Sequence, residues 1–280
     1  MNIKNILYVA ASTFVLIPLA MACDNISEDD RFIIEDKPVP SPHAVPKTLL
    51  IQEFTGVRCP NCPDGAKAIH EIQAEYPSRV IAVGVFPDAG SLTRPWSSAQ
   101  DFRTDVAKAL YSYYKRPDLP AGVFNGVLTG AIPSQWATVA DPYLLEEGKM
   151  TISLTSDYSE TERKVKIDYE ITLTDNLAEK LNLMVWLTED GIVGRQSGLT
   201  ETYKDYVHNH VLRKSFFSEE WGKELGSSFN NGEKISGEAS TTLDENWVAE
   251  NCHVVVFVQR ADNKEVKQAA EIAVVSSAEE

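Results

Sequence analysis

The tetrapeptide Cys59-Pro60-Asn61-Cys62 sits between two stretches of different periodicity, and that placement constrains the fold more than any other feature of the chain. Before it runs Leu49-Leu50-Ile51-Gln52-Glu53-Phe54, a strand-like apolar segment. After it, Ala66, Ile69, Ile72, Ala74 and Tyr76 recur at helical spacing until Pro77 ends the pattern. Val80-Ile81-Ala82-Val83-Gly84-Val85-Phe86 then forms a continuous apolar run, the kind buried on both faces inside a sheet. Strand, helix and strand in this order read as a right-handed βαβ unit with a parallel pair. The two cysteines therefore fall where a strand hands over to a helix. A thiol there is favoured as the thiolate, its reactive form, by the positive end of the helix dipole.

Farther along, Phe102, Val106, Leu110 and Tyr113 give helical spacing to residues 97–114. Asn125-Gly126 between Leu119–Phe124 and Val127-Leu128 predicts a hairpin. Residues 134–147 read as a helix with Ser134 at its N-cap. After Gly148 the texture changes to short, mostly alternating runs: 150–154, 165–173, 183–187, 207–216, 235–243, 254–259 and 266–274. Lys164–Leu173 alternates almost perfectly, so one of its faces is wet. These runs predict an antiparallel β-sandwich of immunoglobulin-like type, with a domain break near Gly148–Lys149.

A chain of 280 residues accommodates two such domains. It opens with Lys4 and a mostly apolar segment, 6–19, too short to span a membrane comfortably. Leu19-Ala20-Met21-Ala22-Cys23 resembles a bacterial lipobox, in which Cys23 is lipidated and becomes the first mature residue. An ordinary cleaved signal is the alternative. The acidic run after Cys23 fits either a surface-export signal or a solvated tether. Pro38, Pro40, Pro42 and Pro46 mark an extended linker. The resulting division is 1–22 signal peptide, 23–46 lipidated cysteine and linker, 47–148 first domain, and 149–280 second domain. A net charge of −15 disfavours nucleic acid and anionic lipid headgroups as partners. The partners expected are outer-membrane lipid, through acyl chains on Cys23, and thiols or disulfides of exported proteins.

Glu53-Phe54-Thr55-Gly56-Val57-Arg58-Cys59-Pro60-Asn61-Cys62 resembles the active-site segment of the thioredoxin superfamily, and Leu119–Gly126 resembles its cis-proline strand and hairpin. The likeness covers residues 47–148. It implies a thioredoxin-like α/β domain in which Cys59 attacks and Cys62 resolves. Pro120 would then be cis and face the disulfide. Leu119 would offer backbone groups to a bound peptide, and Glu53 would be the buried acid that helps Cys62 lose its proton. Arg58, beside Cys59, should favour the thiolate. Pro63, like Pro60, removes a backbone donor, so the Cys59 thiolate is expected to be less stabilised than in strongly oxidising relatives. Three alternatives stay open: an inert disulfide that staples the helix start, half of a zinc site, and a solvent-facing Glu53.

Other residues carry weaker signals. Cys252 lies in an apolar run and reads as a small buried hydrophobe. His208 and His210 share one face of a presumed strand, where packing is a simpler role than metal binding. No metal or cofactor is expected. Asp205–Arg213, Val254–Val258 and Gln268-Ala269-Ala270-Glu271 resemble the Omp28-related outer-membrane protein family over nearly the full length. That resemblance implies an outer-membrane lipoprotein, lipid-anchored and facing the periplasm or the cell surface, with no settled activity. Two functions are carried forward: thiol–disulfide exchange on exported proteins, and a non-enzymatic surface binding or adhesion module with a structural disulfide.

Overall fold

The runs of apolar residues become strands largely where expected. The computed structural model describes residues 45–130 and 132–275. The signal segment, Cys23 and the linker as far as residue 44 lie outside the described residues. The first half contains β1 (Val45–Pro46), β2 (Leu49–Phe54), α1 (Cys62–Glu75), β3 (Val80–Val85), α2 (Asp105–Tyr113), β4 (Ala121–Phe124), β5 (Val127–Gly130), α3 (Trp136–Leu145) and β6 (Glu147–Gly148). Apart from a 3-10 turn at Ala249–Asn251, the regular elements of the second half are strands: β7 (Met150–Ser159), β8 (Lys164–Leu173), β9 (Leu181–Glu189), β10 (Ile192–Ser197), β11 (Thr202–His208), β12 (Val211–Ser215), β13 (Lys223–Gly226), β14 (Lys234–Thr242), β15 (Cys252–Arg260) and β16 (Val266–Ala273).

Strand β2 lies parallel to β3 and antiparallel to β4, and β4 turns into β5 through Asn125-Gly126. Both turn residues have positive φ, 45° and 85°. This is the backbone that Asn-Gly tolerates and most pairs do not. Asn125 is fully buried, and its Oδ1 accepts from the Leu50 N–H at 2.9 Å. The helix expected over 97–114 is interrupted. Ser98–Gln100 forms one 3-10 turn, and α2 starts only after Thr104, whose hydroxyl caps the Ala107 N–H at 3.0 Å. Phe102 is therefore not on α2 but packs with Val57, Phe86 and Val211. Ser134 lies in a 3-10 turn ahead of α3 and does not cap it.

The fold class differs from the expected pairing of a thioredoxin-like α/β domain with an immunoglobulin-like sandwich. Among the described residues the chain is predominantly β, and no separate α/β domain stands apart from the rest. One mixed sheet runs β16-β15-β9-β12-β3-β2-β4-β5, with β13 also paired to β9. The join is parallel pairing of Val211 in β12 with Gly84 in β3, where the Gly84 N–H donates to the His210 carbonyl at 2.7 Å. A three-stranded sheet, β14-β8-β7, covers one part of it, and β1 pairs with β6.

The physical reason lies in β9 and β15, which are buried almost throughout. Leu183, Val185, Leu187, Val254, Val256 and Val258 join the core shared with β7, β8 and β14. Alternate residues Met184, Trp186, Val255 and Phe257 join Leu50, Phe54, Val83 and Val85 from the first half. A strand buried on both faces needs a layer on each side, and the first half of the chain supplies the second layer. Trp186 and Phe257 meet edge to face, with ring centroids 4.7 Å apart. On the opposite face of β2 and β3, Leu49, Ile51 and Ala82 pack against Ile69 and Ile72 of α1 and Trp136 of α3.

Candidate functional site

Strand β2 alternates its side chains between two layers, so Phe54 enters the core shared with the second half while Glu53 points toward α1 and α3. The chain then loops through Thr55–Arg58 to Cys59, and α1 begins at Cys62. Cys59 and Cys62 form a disulfide. Cys59 thus precedes the helix by one turn. The Cys62 N–H donates to the Cys59 carbonyl at 3.3 Å and the Asp64 N–H to the Asn61 carbonyl at 3.2 Å. Pro63 has no N–H, so it adds no donor to the first turn.

Both half-cystines are sealed from water, Cys59 at 1% and Cys62 at 2% exposure, while Pro60 and Asn61 between them are exposed. Two elements hold the cysteine loop. The β10–β11 hairpin binds it through the Ser197 N–H to the Val57 carbonyl at 2.9 Å. The Gln196 amide of the same hairpin donates to the carbonyls of Gly56 at 3.1 Å and Cys59 at 3.0 Å. The segment after β3 supplies the Leu92 carbonyl, which accepts from the Arg58 N–H at 2.9 Å. It also supplies the indole of Trp96, which donates to the Val57 carbonyl at 3.3 Å. The Arg58 guanidinium donates to the carbonyls of Arg94 and Pro95 and stacks 3.6 Å over Trp96. Its charge is thereby engaged with that segment.

Glu53 is 5% exposed. Burial pushes its pKa up to about 8, against a smaller opposing effect of the Thr55 side chain. Its Oε1 has no hydrogen-bond partner. Gly65 of α1 faces that oxygen, and a Cβ there would collide with it and crowd Pro120 and Trp136. The Leu119–Pro120 bond is cis, and both residues are buried. The structure therefore gathers Glu53, Cys62 and Pro120 around the first turns of α1. It places Arg58 and Leu119 nearby in supporting positions.

The two expected strand histidines fall around a turn. His208 ends β11 and His210, with φ 56°, precedes β12. His208 lies 3.2 Å from the Gln100 amide and against Phe102, and burial pushes its pKa down to about 4. Burial opposes charge on His210 as well, but the Asp190 carboxylate at 3.2 Å outweighs it and raises the pKa. Cys252 is fully buried in β15, and burial pushes its thiol up to about 12. Sequence reasoning did not single out Gln196, Trp96 or Tyr206 as part of this site. Strand β10, Ile192-Val193-Gly194-Arg195-Gln196-Ser197, has weak apolar periodicity and a bulge after Gly194, so little marks it as a strand.

A family model described as outer membrane protein Omp28 matches residues 107–277, more than half of the chain. Among solved structures, HBP35 of Porphyromonas gingivalis is similar with a TM-score of 0.66 at 15% identity, covering 82% of this chain and 76% of that one. That likeness is one of fold. A domain of the outer membrane lipoprotein Omp28 from Porphyromonas gingivalis is 23% identical over 45% of this chain and 88% of that one, with a TM-score of 0.34. No curated protein matches the chain.

Proposed function

This chain belongs to the outer membrane protein Omp28 family and is placed at the outer membrane, and on that premise we propose that it is a lipid-anchored, non-enzymatic binding module whose Cys59–Cys62 disulfide is structural. Acyl chains on Cys23 would hold it to the membrane, with the remainder of the linker over 23–46 as the tether. The observation that carries this reading is the sealing of both half-cystines, at 1% and 2% exposure, beneath Gln196 and the cysteine loop's other contacts. Exchange requires a sulfur to be reached in line by an attacking thiolate, and neither cysteine is more than 2% exposed here. An oxidising compartment keeps such a bridge formed.

The gathering of Cys62, Glu53 and cis Pro120 around the start of α1 favours a second reading. In it an external dithiol such as dithiothreitol supplies two electrons that open Cys59–Cys62, and the resulting dithiol reduces a disulfide of an exported protein and returns to the bonded form seen here. That cycle needs the β10–β11 hairpin to lift from Cys59. An insulin-reduction assay separates the two readings. The native protein is expected to show no turnover above Cys59→Ser, and the bridge to have a reduction potential below about −300 mV. Turnover that Cys59→Ser abolishes would establish the exchange reading.

A further inference from the structure

A cavity of about 790 Å3 opens where the end of β9, the strand β12, the residues ahead of α2 and the loop from β14 to β15 meet. That is the size of a site for a small organic molecule. Neither Cys59 nor Cys62 lines it. Arg213 of β12 forms part of its wall, with a side chain only 10% exposed. The Arg213 Nε donates to Glu189 at 2.7 Å, and the other Glu189 oxygen accepts from the Val248 N–H at 2.9 Å. The two terminal nitrogens of Arg213 have no acceptor among the described residues. A guanidinium held at one nitrogen and buried on its other sides thus keeps donors for whatever enters the cavity.

The charged groups of the lining are mostly engaged with one another. Arg103 holds Asp101 at 2.8 and 2.7 Å, Arg213 holds Glu189, and His210 holds Asp190. Asp244, exposed at the rim, accepts the N–H and the side-chain amide of Asn246 on one oxygen and leaves the other without a donor. An anion would meet Asp244 and Asp190, and a cation would meet Arg213 and Arg103, so the lining favours neither sign. The free donors of Arg213 and the free acceptor of Asp244 suit a neutral ligand whose groups both donate and accept. Apolar surface lies beside them. The Arg213 guanidinium carbon is 5.1 Å from the ring centroid of Phe102 and 5.6 Å from that of Trp247, and Val248 is 48% exposed. A sugar ring carries this combination, with hydroxyls around its edge and C–H groups on its face.

We propose that this cavity binds a neutral saccharide, its hydroxyls on Arg213 and Asp244 and a C–H face against Trp247. This deepens the binding-module reading and rests on it. The loop that carries Trp247 is fixed before any ligand arrives. Arg163 donates to the carbonyls of Asp244 and Trp247 at 2.7 and 2.6 Å, and Glu189 holds the Val248 N–H. A wall fixed in this way loses little freedom on binding.

Calorimetric titration with maltose, cellobiose, lactose and N,N′-diacetylchitobiose tests the proposal on the chain starting at residue 24, which contains every described residue. At least one of these sugars is expected to bind with a dissociation constant of about 1 mM or tighter. Its affinity is expected to be the same at about 0.05 M and about 0.5 M salt, because no charge is neutralised. Arg213→Lys keeps a cation for Glu189 but removes the forked donors, and it is expected to weaken binding about tenfold or more. Trp247→Leu, at a half-buried position, is expected to weaken it by a similar factor with an unchanged far-ultraviolet spectrum, and it decides the matter if Arg213→Lys fails to fold. Binding of none of the sugars, tighter and salt-sensitive binding of glucuronate or glucosamine, or full affinity in Trp247→Leu would each overturn the proposal. Insulin reduction reads Cys59 alone, so failure here is distinct from failure of the module reading.

Discussion

Glu53 reaches the interior at a cost that its neighbours only partly offset. Gly65 leaves room for the carboxyl, and Thr55 gives it one hydrogen bond, but Oε1 stays without a partner. In the unfolded chain the group ionises near 4.5, and in the fold near 8. Between those values the unfolded chain loses the proton while the folded chain keeps it, so rising pH favours unfolding. The cost grows across that window and levels off above about 8. Glu53→Gln has no such proton to lose. It should gain on the native protein by on the order of a few kcal/mol at about pH 8.5 and by little at about pH 5. Urea midpoints at the two pH values check this, and an equal gap at both would contradict it.

At the scale of elements, the β10–β11 hairpin matters most to the disulfide. Gln196 donates to three carbonyls, those of Gly56, Cys59 and Ser197. Gln196→Ala leaves buried acceptors unpaired and should cost about 1–3 kcal/mol. It should also speed reduction of the bridge by dithiothreitol, because the side-chain bond from the hairpin to the Cys59 carbonyl is then lost. Unchanged reduction kinetics would show that the cover does not depend on Gln196. The contrast with β2 and β3 explains what could be read in advance. Those strands match the sequence because both are mostly apolar and buried at every position, and Asn125-Gly126 marks its turn by chemistry that few other pairs supply. Cys59 and Cys62 were legible through their spacing. Gln196 was not, since its partners are backbone carbonyls that carry no residue identity. His208 and His210 were read as one strand because Val207 and Val211 continue a strand-like run across Asn209.

For the whole molecule, the decisive fact is the sheet that passes from β16 to β5 without a break at residue 148. Its signal was present in the sequence: Val254–Val258 is apolar at every position, and a sandwich strand with one wet face would alternate instead. Met184, Trp186, Val255 and Phe257 cover Leu50, Phe54, Val83 and Val85. Each large apolar side chain left uncovered forfeits about 1.5–3 kcal/mol. Residues 47–148 produced alone should therefore lack a fixed core, with a collapsed near-ultraviolet dichroism spectrum. A native-like spectrum from that fragment would refute the dependence.

The same architecture bears on the odd cysteine. An exported chain with three cysteines among its described residues can mispair during oxidation, and Cys252 is the partner that would trap either member of the correct pair. Its fully buried place at the start of β15, with the thiol pushed up to about 12, leaves almost no thiolate to initiate shuffling once that strand is seated. Seating β15 in the central sheet thus also withdraws Cys252 from exchange with the native bridge, and folding itself acts as proofreader of the oxidation.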